Sequence, residues 1–199
     1  MKAFRQNGPP TAPLDALLHA GLRVRLFLIA LCAFACTEAN ATADVVFYDD
    51  FNAENGMASR ANYTTLAQWE IVRGTVDLAG SYPFELLPPG HGMYVDLDGA
   101  SNAASTLRTR RALVLQPGDY EFSFLLAGSQ RVSAPNVVHA SVGTLFTATV
   151  TRPAFAEAIR YRYRIHVRRS TSVHIQFAND GGDNFGALLD DVVLRRTKP

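Results

Sequence analysis

Cysteine is nearly absent from this sequence, which contains two in 199 residues, Cys32 and Cys36. Both lie in an N-terminal segment with the features of an export signal, so we expect the mature chain to contain none. A disulfide scaffold, thiol catalysis, thiolate metal sites and haem attached through cysteine are thereby excluded from the mature chain. A lipid anchor at Cys36 is the less favoured alternative. Acylated cysteines usually have a leucine three residues before them, and Ala33 occupies that position here.

A hydrophobic run long enough to cross a membrane is also missing, since a spanning helix needs ~20 apolar residues. The main apolar run, residues 26–35, follows two arginines and precedes small residues at 39–43. That order is typical of a secretory signal and its cleavage site, and a buried core helix is the alternative. We predict a leader and signal peptide at 1–43, one domain at 44–199, and a secreted, extracellular or periplasmic protein without a transmembrane anchor.

The sequence also lacks a large excess of positive or negative charge, and it lacks the common catalytic motifs. The formal net charge is +1, and removal of the leader brings it close to zero, which argues against a nucleic-acid or membrane-surface binder. The sequence has no Gly-x-Ser-x-Gly or His-Glu-x-x-His, and the histidines after residue 43 lack metal-ligand spacing. We predict that the protein is not an enzyme, although a carboxylate pair for glycoside hydrolysis could still meet in space.

Apolar and polar residues alternate with a period of two along most of the chain after residue 43, and helical periodicity is almost absent. Tyr120, Phe122 and Phe124, for example, fall on one face of a strand. Turns rich in Gly and Pro, such as 88–90 and 116–119, separate these short runs. The pattern predicts an antiparallel β-sandwich or barrel, and we expect its first and last strands to be neighbours.

Several short sequence motifs follow one another along this chain. They are Asp50-Phe51, Trp69 with Gly74 to Leu78, Tyr94 to Gly99, Pro117 to Tyr120 with Phe122 to Phe124, Ala127 to Ser129, and Leu188 to Val192. With them, residues 49–194 resemble the galactose-binding-like jelly-roll domains of bacterial exported proteins, which often carry PEP-CTERM sorting tails. The resemblance implies an all-β, antiparallel jelly-roll β-sandwich that is non-catalytic, often binds carbohydrate and often holds a structural calcium ion. Residues 195–199 lack the sorting tail, so sorting by that route is not expected.

The last predicted strand places an aspartate among apolar side chains. Asp190 would share its face with Leu188 and Val192, and a buried carboxylate needs a cation, an arginine or several backbone donors. Calcium takes six to eight oxygen ligands, and further oxygens lie beside the first strand. We predict calcium as a structural cofactor, and a β-bulge that turns Asp190 to solvent or an arginine pair is the alternative. The predicted metal ligands are Asp50, Asn52, Asp190 and Asp191.

A second acidic phrase, Asp96-x-Asp98-Gly99 followed by Asn102, has a superficial likeness to a calcium loop. It lacks the EF-hand spacing and has no flanking helices. We interpret it as the turn at the end of a strand, with solvated aspartates.

Three arginines alternate with tyrosines near residue 160. A strand here would place Arg160, Arg162 and Arg164 on one face, where guanidinium groups can pair with carboxylates or sulfates. An acidic polysaccharide is therefore a sensible ligand, and the alternative is an ordinary solvated sheet face.

Aromatic side chains in loops are the other candidates, since sugar sites combine an aromatic platform with fixed polar groups. Tyr82 and Tyr94 are the first candidates for such a sugar site. Further candidates are Phe84, His91 and Phe185. Trp69 is instead predicted to lie in the core. The sequence thus predicts a secreted carbohydrate-binding or extracellular-matrix protein whose partner is a polysaccharide or cell-surface glycan. A purely structural envelope protein without a glycan ligand is the alternative, and an unrecognised glycoside hydrolase is a distant one.

Overall fold

A computed structural model describes residues 44–131 and 134–198 of this chain. The predictions for residues 1–43, including the signal peptide, its cleavage site and Cys36, lie outside the described residues. Within the described ranges, we find no helix with the length and apolar character needed to cross a membrane.

The described residues form thirteen β-strands and one short 3-10 helix at Glu54–Met57. The strands are β1 Asp44–Asp49, β2 Trp69–Arg73, β3 Asp77–Ala79, β4 Tyr94–Asp96, β5 Thr106–Thr109, β6 Leu113–Leu115, β7 Gly118–Ala127, β8 Asn136–Val142, β9 Phe146–Arg152, β10 Ile159–Val167, β11 Thr171–Val173, β12 Ile175–Asn179 and β13 Leu188–Lys198.

The strands build two main antiparallel sheets. One has the order β10-β7-β13-β4-β3, with β1 also paired to β13, and the other has the order β2-β5-β12-β8-β9. A third, two-stranded sheet pairs β6 with β11. Strand β1 pairs antiparallel with β13, so the prediction that the first and last strands are neighbours is confirmed.

The core lies between the two main sheets and is rich in aromatic rings. Phe122, Phe124 and Phe177 are fully buried, and the ring centroids of Phe124 and Phe177 lie 5.0 Å apart. Trp69 is also fully buried, as its alternation with polar neighbours predicted, and its ring lies 5.3 Å from that of Phe47. The alternation along β7 therefore placed the inward face correctly.

A second, smaller apolar cluster lies outside this core. Tyr94, Leu188, Leu87, Ala79 and Ala127 form it, and the side chains of Phe84 and Leu86 pack against it. Because Leu188 belongs to this cluster and its neighbour Leu189 to the main core, the two clusters occupy opposite faces of the sheet. The chain between β3 and β4 thus covers part of the outer face.

A β-bulge interrupts β13 at the predicted metal ligands. The pairing of β13 with β7 shifts register between Asp190 and Val193, and Asp191 has a φ of 50°. The extra residue puts Asp190 on the face of Leu188, while Leu189 and Val192 both face the main core. The expectation that Asp190 shares its face with Val192 was therefore wrong.

Candidate functional site

The structure brings the four predicted metal ligands to one region, where β1 and β4 flank β13. Asp50 accepts hydrogen bonds from the Asn52 backbone (3.1 Å), the Asn52 side chain (2.9 Å) and the Tyr48 hydroxyl (3.0 Å). Asn52 Oδ1 accepts from the Met93 backbone N–H at 2.8 Å, which links this region to the start of β4. We call the group of Asp50, Asn52, Asp190 and Asp191 the acidic junction.

Burial controls the protonation of Asp190 in this junction. Its side chain is buried, with 5% of the residue exposed, and the Asp191 backbone N–H donates to its Oδ1 at 2.6 Å. Burial raises the pKa of Asp190 to about 8, and the neighbouring charges of Asp191 and Asp50 add to the rise. For Asp50, partial burial raises the pKa, but the hydrogen bonds from Asn52 and Tyr48 outweigh it and the pKa lies below its usual range.

Arg160 supplies positive charge at the acidic junction. Its guanidinium pairs with the carboxylate of Asp191 and donates to the Asp191 carbonyl oxygen at 3.3 Å. Asp50 and Asn52 already accept hydrogen bonds from protein donors, so few oxygens are left for a metal ion. In the described ranges, no three His, Cys, Asp or Glu side chains are grouped so that they could hold a metal. Arg160 therefore already balances part of the negative charge of the acidic junction.

The arginines of β10 share an outward face, as the alternation predicted, while Tyr161 and Tyr163 pack against the main core. Arg160 forms an ion pair with Asp191. Arg162 and Arg164 are exposed and form no ion pair with the described residues. We call these two residues the arginine pair. A carboxylate or sulfate could bind them without displacing a protein partner.

Two of the loop aromatics meet in a cleft that sequence reasoning did not assemble. Phe84 and Phe185 line a cavity of about 400 Å³ together with Arg131, Asn184 and Asp77. The guanidinium carbon of Arg131 lies 5.3 Å from the centre of the Phe185 ring, and its Nη1 donates to the Asn184 carbonyl at 2.8 Å. We call this the loop cleft. It combines aromatic rings with a positioned cation and polar groups, which is the composition of a sugar site.

The two tyrosines predicted from the sequence as ligand-binding residues differ in their exposure to solvent. Tyr82 is 86% exposed and lies next to Pro83, which lines the loop cleft. Tyr94 is 1% exposed, and its hydroxyl accepts from the backbone N–H groups of Leu86 (2.6 Å) and Leu87 (2.9 Å). The expectation of an accessible ring at Tyr94 was therefore wrong, because the chain before β4 folds over it.

The expectation of solvated aspartates at the end of β4 was also wrong, since Asp96 and Asp98 are both fully buried. Burial raises the pKa of Asp96 to about 7, which the Asp98 backbone N–H and the charge of Arg131 oppose only in part. Asp98 Oδ2 accepts hydrogen bonds from the backbone N–H groups of Gly182 (2.6 Å) and Asp183 (2.9 Å). The Asp98 carboxylate thus anchors the segment that carries Asn184 and Phe185.

Sequence reasoning also missed a polar row across the outer face of the five-stranded sheet. Glu70, Arg108, Gln176, Ser141 and Thr147 are in register on its five strands. Arg108 Nη2 pairs with Glu70 Oε1 at 2.5 Å. Alternation within each strand could have shown that these residues face outward, but only the strand order aligns them. The row contains no aromatic ring, so it offers a sugar hydrogen bonds without a stacking platform.

Similarity to known proteins is confined to three-dimensional structure. No protein-family model matches the sequence, and no curated protein matches it. The module TmCBM61, solved in complex with β-1,4-galactotriose, superposes with a TM-score of 0.51 at 14% identity, over 69% of this chain and 99% of the module. The CBM22-1 xylan-binding domain from Paenibacillus barcinonensis Xyn10C gives 0.47 at 16% identity, over 79% of this chain and 97% of that domain. The C-terminal CBM6 of LamC from Zobellia galactanivorans gives 0.39 at 9%, over 70% and 100%. The likeness to the first module, together with the strand order above, shows that this chain has an all-β fold, an antiparallel jelly-roll sandwich.

Proposed function

We propose that this chain is an exported, non-catalytic protein that binds a polysaccharide or cell-surface glycan through the loop cleft. The observation that carries the proposal is the meeting of Phe84 and Phe185 with Arg131 around one cavity. The galactotriose bound to TmCBM61 supports a glycan as the ligand class. The alternative, a structural envelope protein, needs no such cleft.

The chemistry of the loop cleft suits a pyranose ring. The C–H face of a sugar packs on an aromatic side chain, and its hydroxyl groups need donors and acceptors beside that ring. Arg131 and Asn184 provide donors and acceptors, and the Asn102 backbone N–H holds the Asn184 side chain at 2.7 Å. Because Arg131 is itself held by the Asn184 carbonyl, little side-chain freedom is lost when a sugar binds.

The arginine pair supports a second candidate, binding of an acidic glycan on the outer face of β10. Arg162 and Arg164 stand on the same side of that strand and carry no carboxylate partner among the described residues. A uronate or sulfate bound there would be held by exposed ionic contacts, which salt weakens. Binding at the loop cleft would depend less on salt because it rests on stacking.

Calcium at the acidic junction stays a prediction alongside these proposals. The junction already contains Arg160 beside Asp191, so a calcium ion there would have to displace or tolerate a guanidinium. Chelation of the exported protein, followed by glycan binding, separates a metal-dependent fold from a metal-independent one.

A glycan array probed with the full chain, with and without EDTA, tests the proposed function. We expect Phe185→Ala to reduce glycan binding about five- to thirtyfold, since loss of one stacking anchor costs roughly 1–2 kcal/mol, and Arg162→Ala to leave binding unchanged. Binding that salt and Arg162→Ala abolish would instead place the ligand on the arginine pair. A blank array would favour the structural alternative, and hydrolysis of an arrayed glycan would contradict the non-catalytic role.

A further inference from the structure

Two rows of side chains cross the outer face of the six-stranded sheet, on β1, β13, β7 and β10. The register aligns Tyr48, Val193, Ser123 and Arg162 in one row and Val45, Arg195, Glu121 and Arg164 in the other. The row between them runs through Phe47, Leu194 and Phe122, which are buried in the main core. Because successive residues of a strand point to opposite faces, both flanking rows face outward. We call their eight residues the outer array.

The two ends of the outer array differ in chemistry. At the β1 end, Val45 is 56% exposed and Tyr48 is 49% exposed, and the half-buried Val193 lies beside Tyr48. At the β10 end stand the exposed side chains of Arg162 and Arg164. Neighbouring strands lie about 4.8 Å apart, so three steps separate the two ends by about 14 Å. The array is therefore apolar at one end, cationic at the other and longer than a single sugar ring.

The carboxylates nearest to the arginine pair have other partners. Glu121 stands between Arg164 and Arg195, and its Oε1 accepts a hydrogen bond from Arg195 Nη2 at 2.6 Å. One row further, Asp119 Oδ1 is hydrogen-bonded to His166 Nδ1 at 2.7 Å. These residues line a cavity of about 410 Å³ beside Arg164. An anion placed there meets a guanidinium that has no ion pair with the described residues.

Negative charge borders the apolar end of the outer array. The Tyr48 hydroxyl donates to Asp50 Oδ2 at 3.0 Å, and the exposed Asp44 stands next to Val45 at the start of β1. Because like charges repel, an anionic group is disfavoured beside Tyr48 and favoured beside the arginine pair. The bond to Asp50 also restricts the Tyr48 ring, so little side-chain freedom is lost when a ligand packs on it.

We propose that the outer array binds an extended polysaccharide in which acidic and neutral sugars alternate, with a neutral ring on Tyr48 and a carboxylate or sulfate at Arg162 and Arg164. This binding rests on the acidic-glycan contact proposed above for the arginine pair, and adds where the neutral sugar lies and why a charge on every sugar is disfavoured. The C–H face of a neutral sugar packs on an aromatic ring, and guanidinium groups pair with carboxylates and sulfates. Arg195, with 43% of its side chain exposed, lies between the two ends and donates to sugar hydroxyl groups.

Isothermal calorimetry on the full chain at low salt tests the outer array. The probes are oligosaccharides of hyaluronan and κ-carrageenan, in which acidic and neutral sugars alternate, and of polygalacturonate, which has a carboxylate on every sugar. We expect an alternating probe to bind more tightly than polygalacturonate and to weaken with salt. Arg164→Ala should lower its affinity about three- to tenfold. Arg111→Ala is the matched control, since Arg111 is exposed, has no ion pair with the described residues and lies outside the array.

Three results would overturn the proposal. The first is no binding of either alternating probe, and the second is equal or tighter binding of polygalacturonate. The third is an equal loss in Arg164→Ala and Arg111→Ala, which would indicate unspecific attraction between charges. Binding to phosphatidylglycerol vesicles that Arg164→Ala weakens, without binding to the alternating probes, would assign the array to an anionic membrane instead.

Variants of Tyr48 test the neutral-sugar contact. Tyr48→Phe keeps the ring, so the affinity for the alternating probe should stay within about twofold, whereas Tyr48→Leu removes the ring from an apolar strand position and should lower the affinity about three- to tenfold. Equal affinities of the Leu and Phe variants would overturn the role of Tyr48. Phe185→Ala in the loop cleft should leave this affinity unchanged. Loss of neutral-glycan binding in Phe185→Ala and loss of acidic-glycan binding in Arg164→Ala are therefore separate results, so one site can fail without the other.

Discussion

The buried hydrogen bond between Trp69 and Asp49 should be one of the larger single contributions to the stability of the sandwich. Trp69 Nε1 donates to Asp49 Oδ2 at 2.8 Å, and the backbone N–H of Phe51 donates to Asp49 Oδ1 at 2.9 Å. Trp69→Phe keeps an aromatic ring in the core but removes the donor, so Asp49 Oδ2 loses this buried partner. The bond therefore ties the end of β1 to the start of β2.

The cost of Trp69→Phe has two parts. Loss of a hydrogen bond to a charged group costs roughly 1.5–3 kcal/mol, and the volume lost from the fully buried indole adds about 1–2 kcal/mol. We expect the free energy of unfolding to fall by about 2.5–5 kcal/mol as the sum of these two effects. Asp49→Asn and the double variant complete a cycle whose coupling energy should lie near 1–3 kcal/mol for residues in direct contact.

The cost should also depend on pH. Burial raises the pKa of Asp49 above its usual value, and the hydrogen bonds from Phe51 and Trp69 oppose this rise. A raised folded pKa means that stability falls as pH increases from the unfolded pKa to the folded one. Loss of the Trp69 donor raises the folded pKa further, so the variant loses more stability over that window and the cost of the substitution grows with pH.

Urea unfolding followed by circular dichroism measures these effects, since Trp69 is the single tryptophan and its fluorescence is lost in the variant. Comparison of unfolding at pH 4 and at pH 8 tests the direction of this pH dependence. A cost below about 1 kcal/mol, or a coupling energy of zero, would refute a buried Trp69–Asp49 bond of this strength. A cost that is larger at pH 4 than at pH 8 would contradict the assigned direction of the pKa.

Two matched pairs of variants test other features. Gly74 has a φ of 66°, and a Cβ atom there would clash with the Ala104 carbonyl, so Gly74→Ala should lower the free energy of unfolding by more than about 2 kcal/mol. Gly90 also has a positive φ, but no described atom lies within 4 Å of a Cβ atom at that position. Urea unfolding of Gly90→Ala should therefore show a smaller loss. Arg160→Ala should lower the free energy of unfolding by about 1–2 kcal/mol, because it removes the partner of the half-buried Asp191 carboxylate. Arg162→Ala should change the free energy of unfolding by less than about 0.5 kcal/mol. Equal losses in the two variants would contradict the difference in their partners.

The sandwich and its inward faces followed from the sequence because period-two alternation reports directly on which side of a strand is buried. The faces of β7 and β10 and the core position of Trp69 were all predicted in this way. Alternation fails where the strand does not keep its register. At Asp191 a left-handed backbone inserts an extra residue. Aspartate adopts that conformation more readily than most non-glycine residues, but alternation alone does not show where a bulge falls.

The sites were harder to predict because they depend on contacts between distant segments. Asp98 is buried by backbone groups more than eighty residues later in the chain, and Tyr94 by the loop before its own strand. Arg131 meets Phe185 through the same folding of loops. No periodicity relates such positions, so the sequence could nominate Phe185 as an aromatic candidate but could not place it in a cleft.

The position of β13 has a consequence for the order in which the molecule folds. This strand comes after all the others along the chain, yet it lies between β7 on one side and β1 and β4 on the other. The six-stranded sheet therefore has no continuous hydrogen-bonded ladder until residues 188–198 have been synthesised, and its formation requires pairing across some 150 residues of chain. Partly made chains are thus kept from closing the sandwich too early.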